Sequence, residues 1–246
     1  MARFRDAGFV VLRNAFDPRP LAQEMDRVLA DQSRAGSERK AGSGGVEFRS
    51  APMMCERTPV SLALVDEFAG VAQTLTGRVV LPVRAKGTRY YGSTDWHSDS
   101  DLDVVSLGVL AYLEPVTAGT GALRVVPGSH RDDRADDPAE PIPTEPGDVI
   151  VFDEHVTHGS AGGRERRQWR VDFVADPVGD EEVAKVHGYY ARIFDVGWDG
   201  GYDAERYPSY GPYWQSSAKP WTERLRELGV YELADAQESL MRARLR

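Results

Sequence analysis

Five histidines occur in the 246-residue chain, and their neighbours decide which of them could do chemistry. His97 and Asp99 stand two apart in the run Trp96-His97-Ser98-Asp99. On an extended strand, residues i and i+2 project from one face, so both side chains can reach one ion. Such a pair is a frequent accident of sequence, and a third ligand is what gives it meaning. His158 supplies one in GDVIVFDEHVTHGS, residues 147–160, far enough along the chain that only tertiary folding can join it to the pair. Two histidines and one carboxylate form the facial set that holds non-haem Fe(II) and leaves three coordination positions open. A closed structural zinc site would need thiolates, and Cys55 is the single cysteine. His155 and His158 also read as H-x-x-H, but without the glutamate of a metalloprotease helix and among turn residues, so both are candidates for the distal position. His130 follows Pro127-Gly128-Ser129 and reads as architectural, and His187 lies outside every motif.

Hydrophobic period and turn chemistry outline the elements that must position these residues. A short N-terminal helix, a turn at Gly8 and a strand from Phe9 to Leu12 come first. Asp17 suits an N-cap with Pro18 in the first helical position, and Leu21, Met25, Val28 and Leu29 follow at helical spacing. Residues 33–45 are polar and glycine-rich and predict a loop; residues 59–76 predict a second amphipathic helix carrying Leu62, Val65, Phe68, Val71 and Leu75. From about residue 79 the texture changes to short β-prone runs at 79–91, 104–113, 122–126, 149–152 and 169–174. Turn residues separate them, notably at 117–121, Pro127-Gly128 and Pro146-Gly147-Asp148. Helices followed by many short strands predict an α+β chain built on a sandwich or jelly roll. The tail, 185–246, carries an aromatic stretch rich in glycine and proline and then helices near 221–228 and 231–243, with no sign of a second domain.

The whole pattern resembles the phytanoyl-CoA dioxygenase-like group of Fe(II)/2-oxoglutarate oxygenases. The resemblance runs from the N-terminal GFVVL…FD…L segment through W-H-S-D at 96–99, GALRVVPGSH at 121–130 and PGDVIVFDEHVTHGS at 146–160 to an arginine within WRVDFV. It implies a double-stranded β-helix, a cupin-like jelly roll, within one oxygenase domain over residues 1–246. The domain would have a helical part at about 1–78, the jelly-roll core at about 79–175 and an aromatic-rich extension at about 185–246. It assigns His97, Asp99 and His158 as iron ligands, the distal one being the histidine before Gly-Ser rather than His155. The family holds 2-oxoglutarate with an arginine about a dozen residues beyond that histidine, which here is Arg170 on a predicted strand. Arg166 and Arg167 are nearby rivals for that role, but they fall in the GGRERRQ segment and are expected to be a solvated turn, while Ser160 is expected to hydrogen-bond the same carboxylate. The physical requirement is general: a buried carboxylate needs a charged, bidentate donor, which arginine's planar fork supplies. With O2 as second cosubstrate, 2-oxoglutarate would go to succinate and CO2 as an unactivated C–H bond is oxidised. Relatives that halogenate carry a small residue in place of Asp99, so its presence implies oxygenation.

The substrate is read from RAKGTRYY, residues 84–91, which is basic within an acidic protein. Arg84 and Lys86 share a strand face with Thr88, and would suit an anionic group on the substrate. Tyr90, Tyr91 and Trp96 are further candidates for an apolar part of the pocket wall or for core. The aromatics of 189–214 (Tyr189, Tyr190, Phe194, Trp198, Tyr202, Tyr207, Tyr210, Tyr213, Trp214) read as a lid or wall over the site.

Composition bounds these readings. With 30 Lys+Arg against 39 Asp+Glu and a net charge of −9, no basic stripe for nucleic acid is expected. No apolar run approaches the roughly 18 residues that cross a bilayer, and the N-terminus lacks a secretory pattern, so a cytoplasmic enzyme is expected. The oligomeric state is left open. The expected activity is hydroxylation of a small, anionic metabolite; ring formation or desaturation within natural-product biosynthesis, and a non-catalytic metal-binding jelly roll, are the alternatives.

Overall fold

In the computed structural model, residues 2–34, 40–41, 47–131, 137–162, 165–195 and 202–244 are described. Most of the glycine-rich segment 33–45 and Trp198 lie outside them. The strands form two antiparallel sheets. The larger runs β1 (Phe9–Leu12), β9 (Val149–Asp153), β6 (Ser106–Tyr112), β11 (Arg166–Ala175), β4 (Val80–Tyr91), β3 (Glu47–Pro52) and β2 (Lys40–Ala41). The smaller runs β5 (Thr94–His97), β10 (His158–Ser160), β7 (Leu123–Val125) and β8 (Glu140–Ile142). From β4 onward the chain crosses between the sheets, so that β4, β11, β6 and β9 face β5, β10, β7 and β8. That order is the jelly roll expected from the sequence.

Strand alternation divides each central strand into two chemistries. On β11, Trp169, Val171 and Phe173 join the core shared with the helices, while Arg166, Gln168, Arg170 and Asp172 alternate onto the face toward the smaller sheet. On β4, Val83 and Ala85 join the same helical core, leaving Arg84, Lys86, Thr88 and Tyr90 on the inner face. A second cluster, including Leu110, Tyr112, Leu123, Val125, Ile150 and Phe152, fills the space between the sheets. The interior is therefore apolar with a polar ladder along two strands, and that ladder builds the site.

The outer face of the larger sheet is covered by α2 (Pro18–Arg34), which starts where expected and runs two residues into the predicted loop, and by α3 (Pro59–Thr76), whose bounds match the predicted helix. Asp17 caps α2 by accepting the Arg19 N–H at 3.1 Å. The start of α3 is capped from another element. Thr58 turns its hydroxyl to the Cys55 carbonyl, and the buried Glu24 of α2 accepts the N–H groups of Val60 and Ser61 at 3.0 and 2.9 Å. Glu24→Ala would leave both N–H groups without an acceptor. It should cost about 2 kcal/mol and lower the thermal midpoint by roughly 4–8 °C for a chain of this size; an unchanged melting curve would refute the cap.

The aromatic tail differs from its sequence reading. Residues 179–193 form a helix, α4 (Gly179–Ile193), where its C-terminal part was read as irregular chain. Tyr189, Tyr190, Phe194, Tyr202, Tyr207, Tyr210 and Trp214 are buried, and Tyr213 alone of the described set is largely exposed. Tyr190 and Tyr210 direct their hydroxyls to the Pro82 carbonyl at 3.4 and 3.3 Å. These rings are core beneath α6 (Thr222–Glu227) and α7 (Val230–Arg244), not a lid; among the described residues of the tail, Arg192 and Ile193 at the C-terminal end of α4 line the site.

Candidate metal centre and active site

The smaller sheet brings the two distant motifs together. His97 ends β5, His158 begins β10, and the two are register partners. Asp99 lies just beyond β5, where its backbone N–H donates to the Glu154 carbonyl at 2.9 Å. The Asp99 carboxylate is 3.6 Å from His97 Nε2 and 3.3 Å from His158 Nε2, and the three potential ligand atoms lie within 4.8 Å of one another. Each imidazole is oriented by its other nitrogen: His97 Nδ1 meets the Asp95 carbonyl at 2.8 Å and His158 Nδ1 the Val156 carbonyl at 2.9 Å. A nitrogen against a carbonyl must be the N–H, so both Nε2 atoms present lone pairs inward, as metal ligands need. Burial lowers the His158 pKa and keeps that ring neutral, and the neighbouring Asp99 carboxylate raises that of His97. Burial works against an ionised Asp99, but the Arg170 guanidinium holds its carboxyl well below the usual range. The donor set fits a divalent metal ion with open positions.

Two arginines of β11 flank this centre, about 13 Å apart along the strand, in different surroundings. Arg170 has carboxylates on all three of its donor nitrogens: Nη1 to Asp99 at 2.9 Å, Nη2 to Glu154 at 2.9 Å and Nε to Asp172 at 2.5 Å. Arg166 has none among the described residues. It is 2% exposed; Nη2 donates to Ser160 Oγ at 2.7 Å, Nη1 to the Gly92 carbonyl at 2.9 Å, and Nε has no partner among the described residues. Its guanidinium lies over the Tyr90 ring at 5.3 Å and against Gly121, whose φ of +105° and missing side chain are both required, since a Cβ there would come within 3.0 Å of three Arg166 atoms. The expectation of a solvated turn at Arg166 and Arg167 is thus corrected. Arg166 opens β11 inside the barrel, and Arg167 points outward to Glu114 and Asp26 at 2.6 and 2.7 Å. It is Arg166, not Arg170, that sits against Ser160.

Residues 4–168 match the phytanoyl-CoA dioxygenase family (PhyH). The chain belongs to this family. It is an Fe(II)/2-oxoglutarate-dependent oxygenase. Among solved structures, AviO1 from Streptomyces viridochromogenes Tue57 is similar at 25% identity with a TM-score of 0.61, over 73% of this chain and 94% of that one. EctD from S. alaskensis, crystallised with 2-oxoglutarate and 5-hydroxyectoine, has 24% identity and a TM-score of 0.58 over 71% of this chain and 74% of its own. The epimerase SnoN, in complex with Fe3+, alpha ketoglutarate and nogalamycin RO, shares the fold at 19% identity and a TM-score of 0.57, over 71% and 82% of the two chains. Among curated proteins none matches the chain significantly.

On the far side of Arg170 from Arg166, a cavity of about 400 Å3 opens onto the triad of this oxygenase. Arg84, Glu154, Asp172 and the α4 residues Arg192 and Ile193 line it with His97 and Asp99. Arg84 is buried there, over the Phe194 ring at 5.4 Å, and donates to Gln237 Oε1 at 3.3 Å. Lys86 edges a separate narrow crevice with Ser50, Pro52 and Tyr202, although Arg84 borders both. Two of the aromatic assignments are corrected. Trp96 is 50% exposed and lies 5.7 Å from Arg124, whose neighbours Leu123 and Val125 face the inner core, so the indole covers the outside of the smaller sheet. Tyr90, not Tyr91, takes the inward position beside Arg166, and burial pushes its hydroxyl up to about 12. Glu154 was missed, and Tyr189 was read only as one of the tail aromatics: its hydroxyl donates to Glu154 Oε2 at 2.6 Å, and burial, with Asp172 nearby, pushes the Glu154 carboxyl up to about 8.

His155 has a different task. Nδ1 pairs with Asp153 Oδ1 at 2.7 Å and Nε2 donates to the Leu102 carbonyl at 2.8 Å, so both ring nitrogens are occupied. The Asp153 bond raises its pKa to about 9. A raised folded-state value means stability fully present below the unfolded pKa of about 6.5 and lost as pH rises through the folded one. His155→Gln should therefore destabilise by about 1–2 kcal/mol at pH 6 and much less at pH 10, measured by denaturant unfolding; a pH-independent difference would refute the charged clasp.

Proposed function

We propose that this oxygenase hydroxylates a small molecule bearing an anionic group, with iron held by His97, Asp99 and His158 and 2-oxoglutarate anchored by Arg166 and Ser160. The observation that carries the cosubstrate assignment is a buried guanidinium with no carboxylate partner among the described residues. Burying an unpaired cation costs several kcal/mol, and a carboxylate bound beside it offsets that cost. The spacing supports the same reading: Ser160 is two residues beyond His158, about 7 Å along β10, a span suited to a five-carbon diacid held at both ends. When bound, iron and 2-oxoglutarate supply the oxidising chemistry, with 2-oxoglutarate released as succinate and CO2. The protein's share is placement. His97 and His158 offer Nε2 with Nδ1 committed to backbone carbonyls, Asp99 offers an ionised oxygen, and Thr94 holds the Ser160 hydroxyl at 2.8 Å.

The substrate reading rests on the cavity beside the triad, lined by Arg84 from β4, by Arg192 from α4, which pairs with Asp101 of the same lining, and by Ile193 as apolar wall. A carboxylate or phosphate seated between the two arginines would hold a C–H bond toward the metal. Retention of Asp99 favours hydroxylation over halogenation. The test is a screen of anionic compounds and neutral analogues for succinate release with Fe(II) and 2-oxoglutarate, followed by product analysis. Succinate release dependent on an anionic compound, with a product gaining one oxygen, supports the reading. Release driven equally by the neutral analogue would sink the anionic class, and a desaturated or cyclised product would replace hydroxylation.

A further inference from the structure

We infer that Arg170 is a positioning residue that keeps Asp99 a one-oxygen ligand and so preserves the third open position on the metal. The inference rests on the metal-centre reading above. Both Asp99 oxygens face the ligand histidines, Oδ1 at 3.6 Å from His97 Nε2 and Oδ2 at 3.3 Å from His158 Nε2, and Arg170 Nη1 engages Oδ2 at 2.9 Å. A carboxylate next to a divalent ion can chelate through both oxygens, and a charge-assisted hydrogen bond to one of them opposes this. The number of open positions matters because 2-oxoglutarate takes two and O2 needs another.

A guanidinium beside a dication is itself unfavourable, and the surroundings answer that. Glu154 Oε1 and Asp172 Oδ1 occupy the remaining donors of Arg170, and Tyr189 from α4 in turn holds Glu154. The guanidinium is thereby fixed in direction as well as screened. Gly108 leaves the room it needs: a Cβ there would lie 3.2 Å from Nη2 and 2.8 Å from the Phe152 ring. Arg170, Asp172 and Tyr189 all lie beyond residue 168, where the family match ends. The clamp therefore joins residues outside that match to Asp99, Glu154 and Gly108 within it.

The test uses Mn(II) on the full chain without substrate, counting exchangeable waters from the broadening of the Mn(II) EPR lines in 17O-enriched water. Wild type should show three, falling to two in Arg170→Met, with 2-oxoglutarate affinity of the Mn(II)-loaded variant reduced about tenfold. Should that variant fail to fold with its carboxylates unpaired, Arg170→Met combined with Glu154→Gln and Asp172→Asn removes the surplus charge and should also show two. Two waters in wild type, or three in either folded variant, overturns the clamp while leaving the metal centre standing. Failure of wild type to bind Mn(II) overturns the metal-centre reading and the clamp with it.

Discussion

Arg166→Gln is expected to weaken 2-oxoglutarate on the order of a hundredfold, about 3 kcal/mol, the scale of truncating one partner of a buried charge pair. The same variant should be at least as stable as wild type when 2-oxoglutarate is absent. The reason is the asymmetry already described: without a bound carboxylate, the Arg166 guanidinium is buried among neutral partners, with no carboxylate on it among the described residues, and removing such a charge relieves a cost. Conversely, 2-oxoglutarate should raise the thermal midpoint of the Mn(II)-loaded wild type by mass action and leave that of Arg166→Gln nearly unmoved. Titration calorimetry and thermal shift read these separately. An unchanged 2-oxoglutarate affinity in Arg166→Gln would return the anchor to Arg170.

The two arginines show where one-dimensional reading runs out. Counting a dozen residues from His158 leads to Arg170, because the count assumes a loop of ordinary length between β10 and β11. Here β11 starts at Arg166, so the loop is short and the residue at the head of the strand arrives early. A signal was present: the apolar alternation at Trp169, Val171 and Phe173 puts Arg166 and Arg170 in phase on the opposite face. The basic run around them obscured it, since four charged residues in GGRERRQ look like solvent-exposed turn. Their true separation depends on tertiary partners, with Glu114 and Asp26 drawing Arg167 outward and Ser160 and Tyr90 receiving Arg166 inside.

Elements with strong local signals were legible. The helices α2 and α3 carry both period and proline at the first turn, and β6 and β9 are apolar runs. The strands β8 and β10 are three residues each, too short for period, and exist because neighbouring strands supply their hydrogen bonds. In α4 the apolar positions Val186, Tyr189 and Tyr190 follow an acidic first turn, and the glycine and aromatic content of the region masked that helical pattern. The metal triad was legible because its motif is local on both sides. Its companions Glu154 and Tyr189 were not, because a buried acid and a tyrosine hydroxyl carry no sequence mark until folding places them 2.6 Å apart.

His158→Ala should reduce iron- and 2-oxoglutarate-dependent turnover below about 1% of wild type, since loss of a direct ligand must exceed the 10–100-fold typical of removing its support. Mn(II) binding should fall with it. The contrast that gives the result meaning is His155→Gln, three residues away and also a histidine of the same motif. His158 turns Nε2 toward Asp99 with Nδ1 fixed by the Val156 carbonyl, whereas His155 has one nitrogen on Asp153 and the other on Leu102. A ring bonded at both nitrogens cannot lend a lone pair without breaking a clasp that holds the loop between β9 and β10. His155→Gln should therefore keep metal affinity and most of its turnover at pH 7 while losing stability. Full turnover in His158→Ala, or loss of Mn(II) binding in a folded His155→Gln, would move the distal ligand to His155.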